Sequence, residues 1–305
     1  MAIATTDTTN AYDKTAASGQ IFENITQAAQ FTFAENGLLR NLVTTYNMQG
    51  TPGLVASVPV YPAATAVSAI TAGHDITQGD DVAASAVDIA ADEYATMAKI
   101  QDIVLESSPL SVAQDTGKVL GDQIAKSMDS VITGLFTSAS TEVGPGAAAE
   151  MTIEHLLKAA ATLRNNSVPM TGLVAVLHPF QAFNMKKALL NAGGSIRQDS
   201  NDDSAAVFQM RADELANQAA RDYFIGTVSG IRIYESAAIT PDGSDDAIGA
   251  VFHPAAIGMA MKRDLRIATE RDESFRGFEV ICSSVFGAGI LDQNKIVKIT
   301  SDAAL

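Results

Sequence analysis

The sequence predicts an α+β protein, and three patterns along its 305 residues support that prediction. A long amphipathic helix is expected from Ser107 or Ser108 to about Ala139. Helix and strand signals then follow one another closely over residues 151–255. After about Leu265, three segments read as strands. With 47% hydrophobic residues, a chain of this length can bury a substantial core.

The composition restricts the possible classes of function. Acidic residues outnumber basic ones by 35 to 20, which gives a formal net charge of −15. Residues 1–150 hold 17 acids and 5 bases, whereas residues 151–305 hold 18 and 15. This charge argues against nucleic-acid binding as the main task, because phosphate contacts require clustered Lys and Arg. The single cysteine, Cys282, excludes an internal disulfide and leaves no cysteine set for structural zinc.

The beginning of the chain is expected to be an arm followed by a helix. Residues 1–18 are rich in Thr, Ala and Asp and lack apolar periodicity. Apolar residues at three- and four-residue spacing then predict a helix from Gln20 to about Tyr46, with a break at Gly37. The sequence has no signal-peptide pattern and no run of eighteen apolar residues, which predicts a soluble protein made inside the cell.

Two strand signals enclose a segment that lacks the large apolar residues for a core of its own. Leu54–Tyr61 and Tyr94–Leu105 are the predicted strands of a ribbon. The acidic residues between the two strands and at the start of the second are Asp75, Asp80, Asp81, Asp88, Asp92 and Glu93, with no Lys or Arg among them. A two-stranded ribbon is marginal in water by itself. We therefore expect another subunit to support it.

The remaining elements follow from capping residues and apolar runs. Thr152 can cap a helix that extends to about Asn165, and His178-Pro179 begins a helix through Leu190. The other predicted elements are strands at Gly172–Leu177, Tyr223–Val228, Gly230–Tyr234, Ala247–Phe252, Leu265–Glu270, Gly277–Phe286 and Lys295–Thr300, and a short helix near Arg211–Ala220.

No motif in the sequence indicates catalysis or cofactor binding. His178 and His253 each follow a buried strand and precede a proline, and we interpret them as caps with a satisfied ring nitrogen. Cys282 lies within a strand pattern and is interpreted as a buried, inert thiol. Two acidic loops, at 199–203 and 242–246, have calcium-loop spacing but lack the required glycine and glutamate. We predict no catalytic residue, no cofactor and no metal site.

Four local sequences, taken in order, point to a known family. They are EYATMAKIQDIVLESSPL (Glu93–Leu110), GLVAVLHPFQ (Gly172–Gln181), GTVSGIRIYES (Gly226–Ser236) and VFHPAAIGMAMKRDLRIATERD (Val251–Asp272). Together with the order of helix, ribbon, long helix, α/β unit and returning strands, they resemble the major capsid protein of tailed double-stranded DNA bacteriophages. That family has the Hong Kong 97-type capsid fold. The resemblance covers roughly residues 20–302.

The resemblance implies a domain organisation. Residues 1–50 would form an N-terminal arm and helix, and residues 51–105 an extended loop, which is a β-ribbon. Residues 106–149 and 256–305 would form a peripheral domain with a long spine helix, and residues 150–255 an axial α/β domain. In this family the extended loop lies across a neighbouring subunit, which would supply the support that the ribbon lacks.

The resemblance also implies a function. The chain would self-assemble as hexamers and pentamers into an icosahedral capsid shell around phage double-stranded DNA, in virions assembled in the host bacterial cytoplasm. Its partners would be its own copies, a portal, and possible scaffolding or decoration proteins, with DNA only as enclosed content and no membrane. Residues 51–98 contain no Lys. The loop-lysine crosslink of some members is therefore not expected, and we predict a non-covalent shell.

Two other interpretations remain open. An encapsulin-like cellular nanocompartment shares the fold and would be distinguished by a groove for cargo peptides. A soluble α/β enzyme with an oligomerising ribbon would need a pocket of convergent polar groups, which the sequence does not indicate.

The densest basic stretch lies near the C-terminal strands. It consists of Lys262, Arg263, Arg266, Arg271 and Arg276. Interspersed acids favour a solvated face, but a sharper hypothesis pairs this basic strip with the acidic ribbon of an adjacent subunit. Exposed ion pairs contribute only about 0–1 kcal/mol each, so such a network would set register more than affinity.

Charge reversal in the ribbon tests this hypothesis. Replacing Asp80 and Asp81 with Lys is expected to impair assembly and to change its salt dependence, because like charges would then face each other. Light scattering across a range of ionic strength measures both effects. Particles that assemble normally with unchanged salt sensitivity would show that the pairing is wrong.

Overall fold

The helices and strands of the computed structural model follow the sequence patterns most closely in the second half of the chain. The structure describes residues 29–30, 37–61, 72–73, 85–107, 112–196 and 224–304. Within these residues the strands are β1 Thr44–Asn47, β2 Val55–Val60, β3 Ser85–Ala90, β4 Asp92–Gln101, β5 Val174–Leu177, β6 Phe224–Val228, β7 Ile231–Glu235, β8 Asp246–Phe252, β9 Ile257–Asp272, β10 Gly277–Ile290 and β11 Ile296–Asp302. The α-helices are α1 Asp102–Ser107, α2 Val112–Gly134, α3 Ile153–Asn165 and α4 Pro179–Ile196.

The chain divides into two compact units. Among the described residues, the first unit holds those up to Leu38, Asp92–Asp129 and Arg263–Phe286, and the second holds those of Leu39–Ala91, Ser130–Lys262 and Gly287–Leu305. Helix α2 and strands β9 and β10 contribute residues to both units. Each unit is therefore assembled from segments that are distant in sequence.

The second unit is built on a five-stranded sheet in the order β11-β8-β5-β7-β6. Its central strand, β5, is parallel to β7 and antiparallel to β8. All four side chains of β5 are buried, and a strand covered on both faces is apolar throughout, which explains the sequence VAVL. The core of this unit includes Leu156, Leu163, Leu173, Leu177, Val251 and Ile299.

The first unit contains the pair of strands β4 and β10. They are antiparallel from Asp92 opposite Phe286 to Gln101 opposite Gly277, in an unbroken register. Because side chains alternate between the faces of a sheet, the even-numbered residues share one face, where Tyr94 stacks on Phe286 with 4.4 Å between ring centroids. The odd-numbered residues of β4 lie on the opposite face and are exposed.

The ribbon is paired differently from the sequence prediction. The sequence predicts that the strand near Leu54–Tyr61 pairs with the one near Tyr94–Leu105, but in the structure β2 pairs with β3, from Val55 opposite Ala90 to Val60 opposite Ser85. Strand β4 pairs with β10 instead. The sequence of β3, SAVDIA, has two large apolar residues among small and acidic ones. Its hydrophobic signal is therefore too weak for it to be found by periodicity.

Two predicted boundaries are also wrong. The strand predicted to reach Leu105 ends at Gln101, and Asp102–Ser107 forms helix α1. A short apolar run fits a strand or a helix equally well, and Asp102 suits the start of a helix. Tyr46 lies in β1, parallel to β9, rather than in a helix. Its pairing partner is far along the chain, so no local pattern reveals it.

Most other sequence predictions of elements are confirmed. Strand β2, helices α2, α3 and α4, and the strands from β5 onward overlap the predicted segments. Strand β9 is the main extension, since it begins at Ile257 rather than Leu265. The predicted arm at 1–18, the helix at Arg211–Ala220 and the acidic loop at 199–203 lie outside the described residues. None of the described helices is long and apolar enough to cross a membrane.

Three histidines accept backbone hydrogen bonds where helical turns begin. Nδ1 of His155 accepts from the N–H of Thr152 at 3.2 Å, Nδ1 of His178 from Phe180 at 3.3 Å, and Nδ1 of His253 from Ala255 at 3.2 Å. These contacts confirm the interpretation of His178 and His253 as caps. Burial lowers the pKa of His178. Burial, and to a smaller extent Lys158, lowers the pKa of His155.

The second unit is expected to lose stability in acid. Because the folded-state pKa of His155 and of His178 lies below the ordinary value of 6.5, the unfolded chain binds more protons near that pH. The contribution of these two histidines to stability is fully present above about pH 6.5, and it declines as the pH falls toward and through their folded-state pKa values. Denaturant unfolding at a series of pH values measures this decline.

The variant His155→Gln is the matched test for one of these groups. Glutamine at this third helical position keeps a side-chain acceptor for the capping N–H but does not titrate. We expect a shallower dependence of the unfolding free energy on pH in the variant than in the wild type. Identical slopes would show that His155 does not contribute.

Candidate interaction surface

Strands β2 and β3 form a two-stranded ribbon with one fully exposed face, which carries the odd-numbered residues of β2 and the even-numbered residues of β3. Most of their residues are exposed, and large apolar side chains lie uncovered at or beside the ends of β2. Leu54, Val55 and Tyr61 are 55%, 52% and 66% exposed. The hydroxyl of Ser57 donates to Asp88 across the strands, but one polar contact cannot replace a buried face.

A small apolar cluster anchors the ribbon. Val58 from β2 and Ile89 from β3 are buried together with Met48 and Ala260, and Tyr46 is partly buried against them. Ile89 is only 2% exposed. The ribbon is therefore fixed at this cluster, while most of its other described residues face solvent.

Three glycines allow this anchor to approach the strands beneath it. A Cβ atom at Gly258 would lie 2.9 Å from Cδ1 of Ile89, and one at Gly289 would lie 3.2 Å from Cγ1 of Ile89. At Gly287 a Cβ would overlap the backbone carbonyl of Ala90. Because that obstacle is backbone, it cannot rotate away as the end of a side chain can. Gly287 therefore needs glycine for close approach, whereas a Cβ at Gly258 or Gly289 would press on the side chain of Ile89.

The structure pairs several residues of the basic strip within the chain. Lys262 donates to the backbone carbonyl of Thr51. Arg263 forms an ion pair with Glu93 and also donates to the hydroxyl of Ser283 at 3.3 Å. Glu93, which the sequence analysis assigns to the acidic ribbon, is thus held by the same chain.

Arg271 is also engaged by its own chain. Its guanidinium contacts Asp102 at 2.9 Å and Glu273 at 2.7 Å, and these hydrogen bonds raise the pKa of Arg271. Arg266 and Arg276 have exposed side chains. The strip is therefore partly neutralised at Arg263 and Arg271.

The acidic residues assigned to the ribbon also include both paired and exposed side chains. Asp88 accepts from Ser57 in the ribbon, and Asp92 is exposed at the start of β4. Asp75, Asp80 and Asp81 lie outside the described residues. The pairing of the strip with a neighbouring ribbon stays a prediction.

The described residues contain no cluster of three or more His, Cys, Asp or Glu that could hold a metal ion. Cys282 is buried, and burial raises its pKa to about 11, which keeps the thiol protonated and unreactive at neutral pH. In the acidic loop at 242–246, Asp242 accepts from the backbone N–H groups of Ser244 and Asp246. This carboxylate therefore stabilises its own turn.

Comparison with known proteins identifies the fold. No family model matches the chain, and no curated sequence matches it. Solved structures do match: one from Mycobacterium phage Che8 has a TM-score of 0.66 at 20% identity and covers 86% of this chain and 90% of that one. The capsid structure of the cyanophage P-SCSP1u has a TM-score of 0.62 at 16% identity, and the match covers 88% of this chain and 89% of that one. The mature capsid of bacteriophage PhiM1 gives 0.57 at 13% identity, covering 87% of each chain.

The chain has the fold of a phage capsid protein. The matches span most of this chain and most of each matched chain, so the likeness extends well beyond any one sheet or helix. This confirms the α+β class and the capsid fold expected from the sequence. At these levels of identity it is the fold that is shared, because few individual residues correspond.

Sequence reasoning missed the residues that anchor the ribbon of this capsid fold. Ile89 lies in the strand that was not predicted, and Met48 and Ala260 come from distant segments. A signal for Gly258, Gly287 and Gly289 was present as glycines within strand patterns, which often mark close backbone approach. Without the register, however, nothing indicated what approaches them.

Replacing Gly287 with Ala is expected to release the ribbon from its anchor. The added Cβ would collide with the Ala90 carbonyl and displace the end of β3. Gly243→Ala is the matched control, because nothing lies within 4 Å of its added Cβ. Limited proteolysis should cut the ribbon faster in Gly287→Ala than in Gly243→Ala. Equal cleavage rates would contradict the proposed anchoring.

Proposed function

We propose that the protein self-assembles as hexamers and pentamers into the icosahedral capsid shell that encloses phage double-stranded DNA. The observation that carries the proposal is the exposed ribbon of a capsid fold, which has apolar side chains but no core of its own. Leu54, Val55 and Tyr61 are each more than half exposed. Burial of about 25 cal/mol per Å² of apolar surface would favour a contact with a neighbouring copy.

The proposed division of labour follows the expected domains. Residues 51–105 act as the extended loop that lies across a neighbour. Residues 106–149 and 256–305 form the peripheral domain, and residues 150–255 form the axial domain around the capsomer axis. Residues 1–50 serve as the N-terminal arm and helix. Many copies with weak, repeated contacts would then close a shell by symmetry.

The charge of the chain suits a container for DNA. A net charge of −15 gives the shell little affinity for the phosphates of the genome, so the lining would not hold DNA as it is packaged. We propose no enzymatic activity. The partners would be other copies, a portal, and scaffolding or decoration proteins, in a virion assembled in the host bacterial cytoplasm.

Assembly of the chain expressed alone tests the proposal. Negative-stain electron microscopy and light-scattering mass should reveal closed shells, hexameric capsomers or open sheets. The triple variant Leu54→Ser, Val55→Ser and Tyr61→Ser should fold normally but lose assembly, because it removes apolar surface that is already exposed in the single chain.

The control variant is Val119→Ser. Val119 is 59% exposed and lies outside the ribbon, so it tests whether any loss of exposed apolar surface prevents assembly. We expect it to retain assembly. A wild-type protein that stays monomeric or dimeric at all concentrations and salt conditions would contradict self-assembly of the chain by itself and would restrict the proposal to a shell that needs a scaffolding protein. Shells that fill with a cargo enzyme and never with DNA would indicate an encapsulin-like compartment.

A further inference from the structure

Strand β4 is an open sheet edge in the described part of the chain. It is the last strand of the order β1-β9-β10-β4 and pairs only with β10 there. All ten of its residues, Asp92–Gln101, are in register without a bulge and without proline. An edge of this length presents a row of unpaired N–H and C=O groups that another strand can use.

The exposed face of this edge carries opposite charges six residues apart. Glu93 lies near one end and Lys99 near the other, with Ala95 and Met97 between them. Met97 is 51% exposed. An apolar centre between two charges of opposite sign is self-complementary when the strand meets a second copy of itself in the antiparallel direction.

Each charge already has one partner of opposite sign within its own chain. Glu93 pairs with Arg263, and Lys99 pairs with Glu279. Glu93 and Lys99 stay substantially exposed, with side-chain exposures of 58% and 44%. Each can therefore contact a further charge without giving up its own partner.

We propose that β4 pairs with β4 of a second copy in antiparallel register about a two-fold axis at Thr96. This register places Lys99 of one copy opposite Glu93 of the other, twice, and places Met97 opposite Ala95. Each contact is then a row of four alternating charges. Arg263 and Glu93 come from one copy, and Lys99 and Glu279 follow from the other. The inference rests on the proposed shell function, to which it adds one defined contact between copies.

The register follows from the sequence of the strand. A shift to an axis at Ala95 would set Met97 against Glu93, and a shift to an axis at Met97 would set Lys99 against Ala95 and Glu93 against Gln101. A slip by one residue would turn one strand's exposed face to the buried side of the sheet. The axis at Thr96 is the one that joins the opposite charges, and it also overlaps the two strands over almost their full length.

The physical roles of the two kinds of contact differ. Backbone hydrogen bonds between the two edges supply the attraction, as in other cases of strand addition. The charges decide direction and register, since like charges directly opposite each other are destabilising. A single lysine often protects an edge from pairing, but in this register Glu93 of the partner copy neutralises it.

A symmetric disulfide tests the axis directly. Thr96 lies opposite Cys282 of its own chain, so the experiment uses Thr96→Cys in a Cys282→Ser background. At a two-fold axis the two introduced thiols are close enough to oxidise to a covalent dimer. Non-reducing electrophoresis of assembled protein should show that dimer. Lys118→Cys, an exposed helical position in the same Cys282→Ser background, should not show it.

Charge complementation tests the register. In the Thr96→Cys protein, Lys99→Glu leaves two acids on the exposed odd-numbered face of β4, and Glu93→Lys leaves two bases there. Either variant alone should lose most of the disulfide-linked dimer through like-charge contacts. An equal mixture of the two should restore it, since acids then face bases at both ends. Loss without restoration on mixing would overturn the register.

A second readout avoids any folding defect at Thr96. Mixing Ala95→Cys with Met97→Cys, two exposed positions that the register places opposite each other, should give a dimer that neither variant gives alone.

Particles in which neither the Thr96→Cys dimer nor this mixed dimer forms would overturn the pairing and leave the shell proposal standing. A disulfide between Thr96→Cys and Ser57→Cys in the ribbon would instead assign the edge to the ribbon and also overturn it. Dimers in a protein that forms no particles by itself would support the pairing and contradict unaided assembly of the shell.

Discussion

The structure depends on a ribbon that cannot stabilise itself. Strands β2 and β3 pair with each other along one edge, but their side chains bury little except Val58 and Ile89. Conformational entropy costs roughly 1–2 kcal/mol per ordered residue, and one small cluster offsets only part of that cost. The ribbon therefore gains most from a second surface, which the proposed function assigns to another copy of the chain. The glycines at 258, 287 and 289 show how closely the strands below it are fitted to its single anchor.

The two proposals address different incomplete parts of the molecule. The ribbon lacks a covering for its side chains, whereas the edge of β4 lacks partners for its backbone. Burial of apolar surface would cover the ribbon. Backbone hydrogen bonds would complete the edge of β4, with the register set by charge. In the proposed shell, weak contacts of these two kinds would let a misplaced subunit dissociate before the shell closes. Arg263 and Glu93 belong to the second part alone, since their ion pair lies beside the strand edge within the chain and, in the proposed pairing, leaves the carboxylate open to Lys99 of the other copy.

Much of the fold could be predicted from local sequence. Thr152 predicted the start of α3, and the uninterrupted apolar run before His178 predicted the central strand, because a cap and a fully buried strand leave signatures within a few residues. The order of elements was sufficient to suggest the capsid fold. The features that the sequence patterns did not predict depend on contacts between distant parts of the chain. Strand β3 has too few apolar residues to stand out, and β1 is a strand only because β9 lies beside it. The ribbon's true partner and its Ile89 anchor depend on residues far apart in the chain, so periodicity could not reveal them.

Amide hydrogen exchange along the ribbon tests the central claim most directly. The claim is that β2 and β3 are stabilised by another copy rather than by their own chain. In dissociated protein, the amides of Val55–Val60 and Ser85–Ala90 should exchange rapidly, while those of the buried strand β5 exchange slowly. In assembled particles the ribbon amides should become strongly protected, with little change in β5. Slow ribbon exchange of equal extent in both states would contradict the account, because it would show that the ribbon is stable without a neighbour.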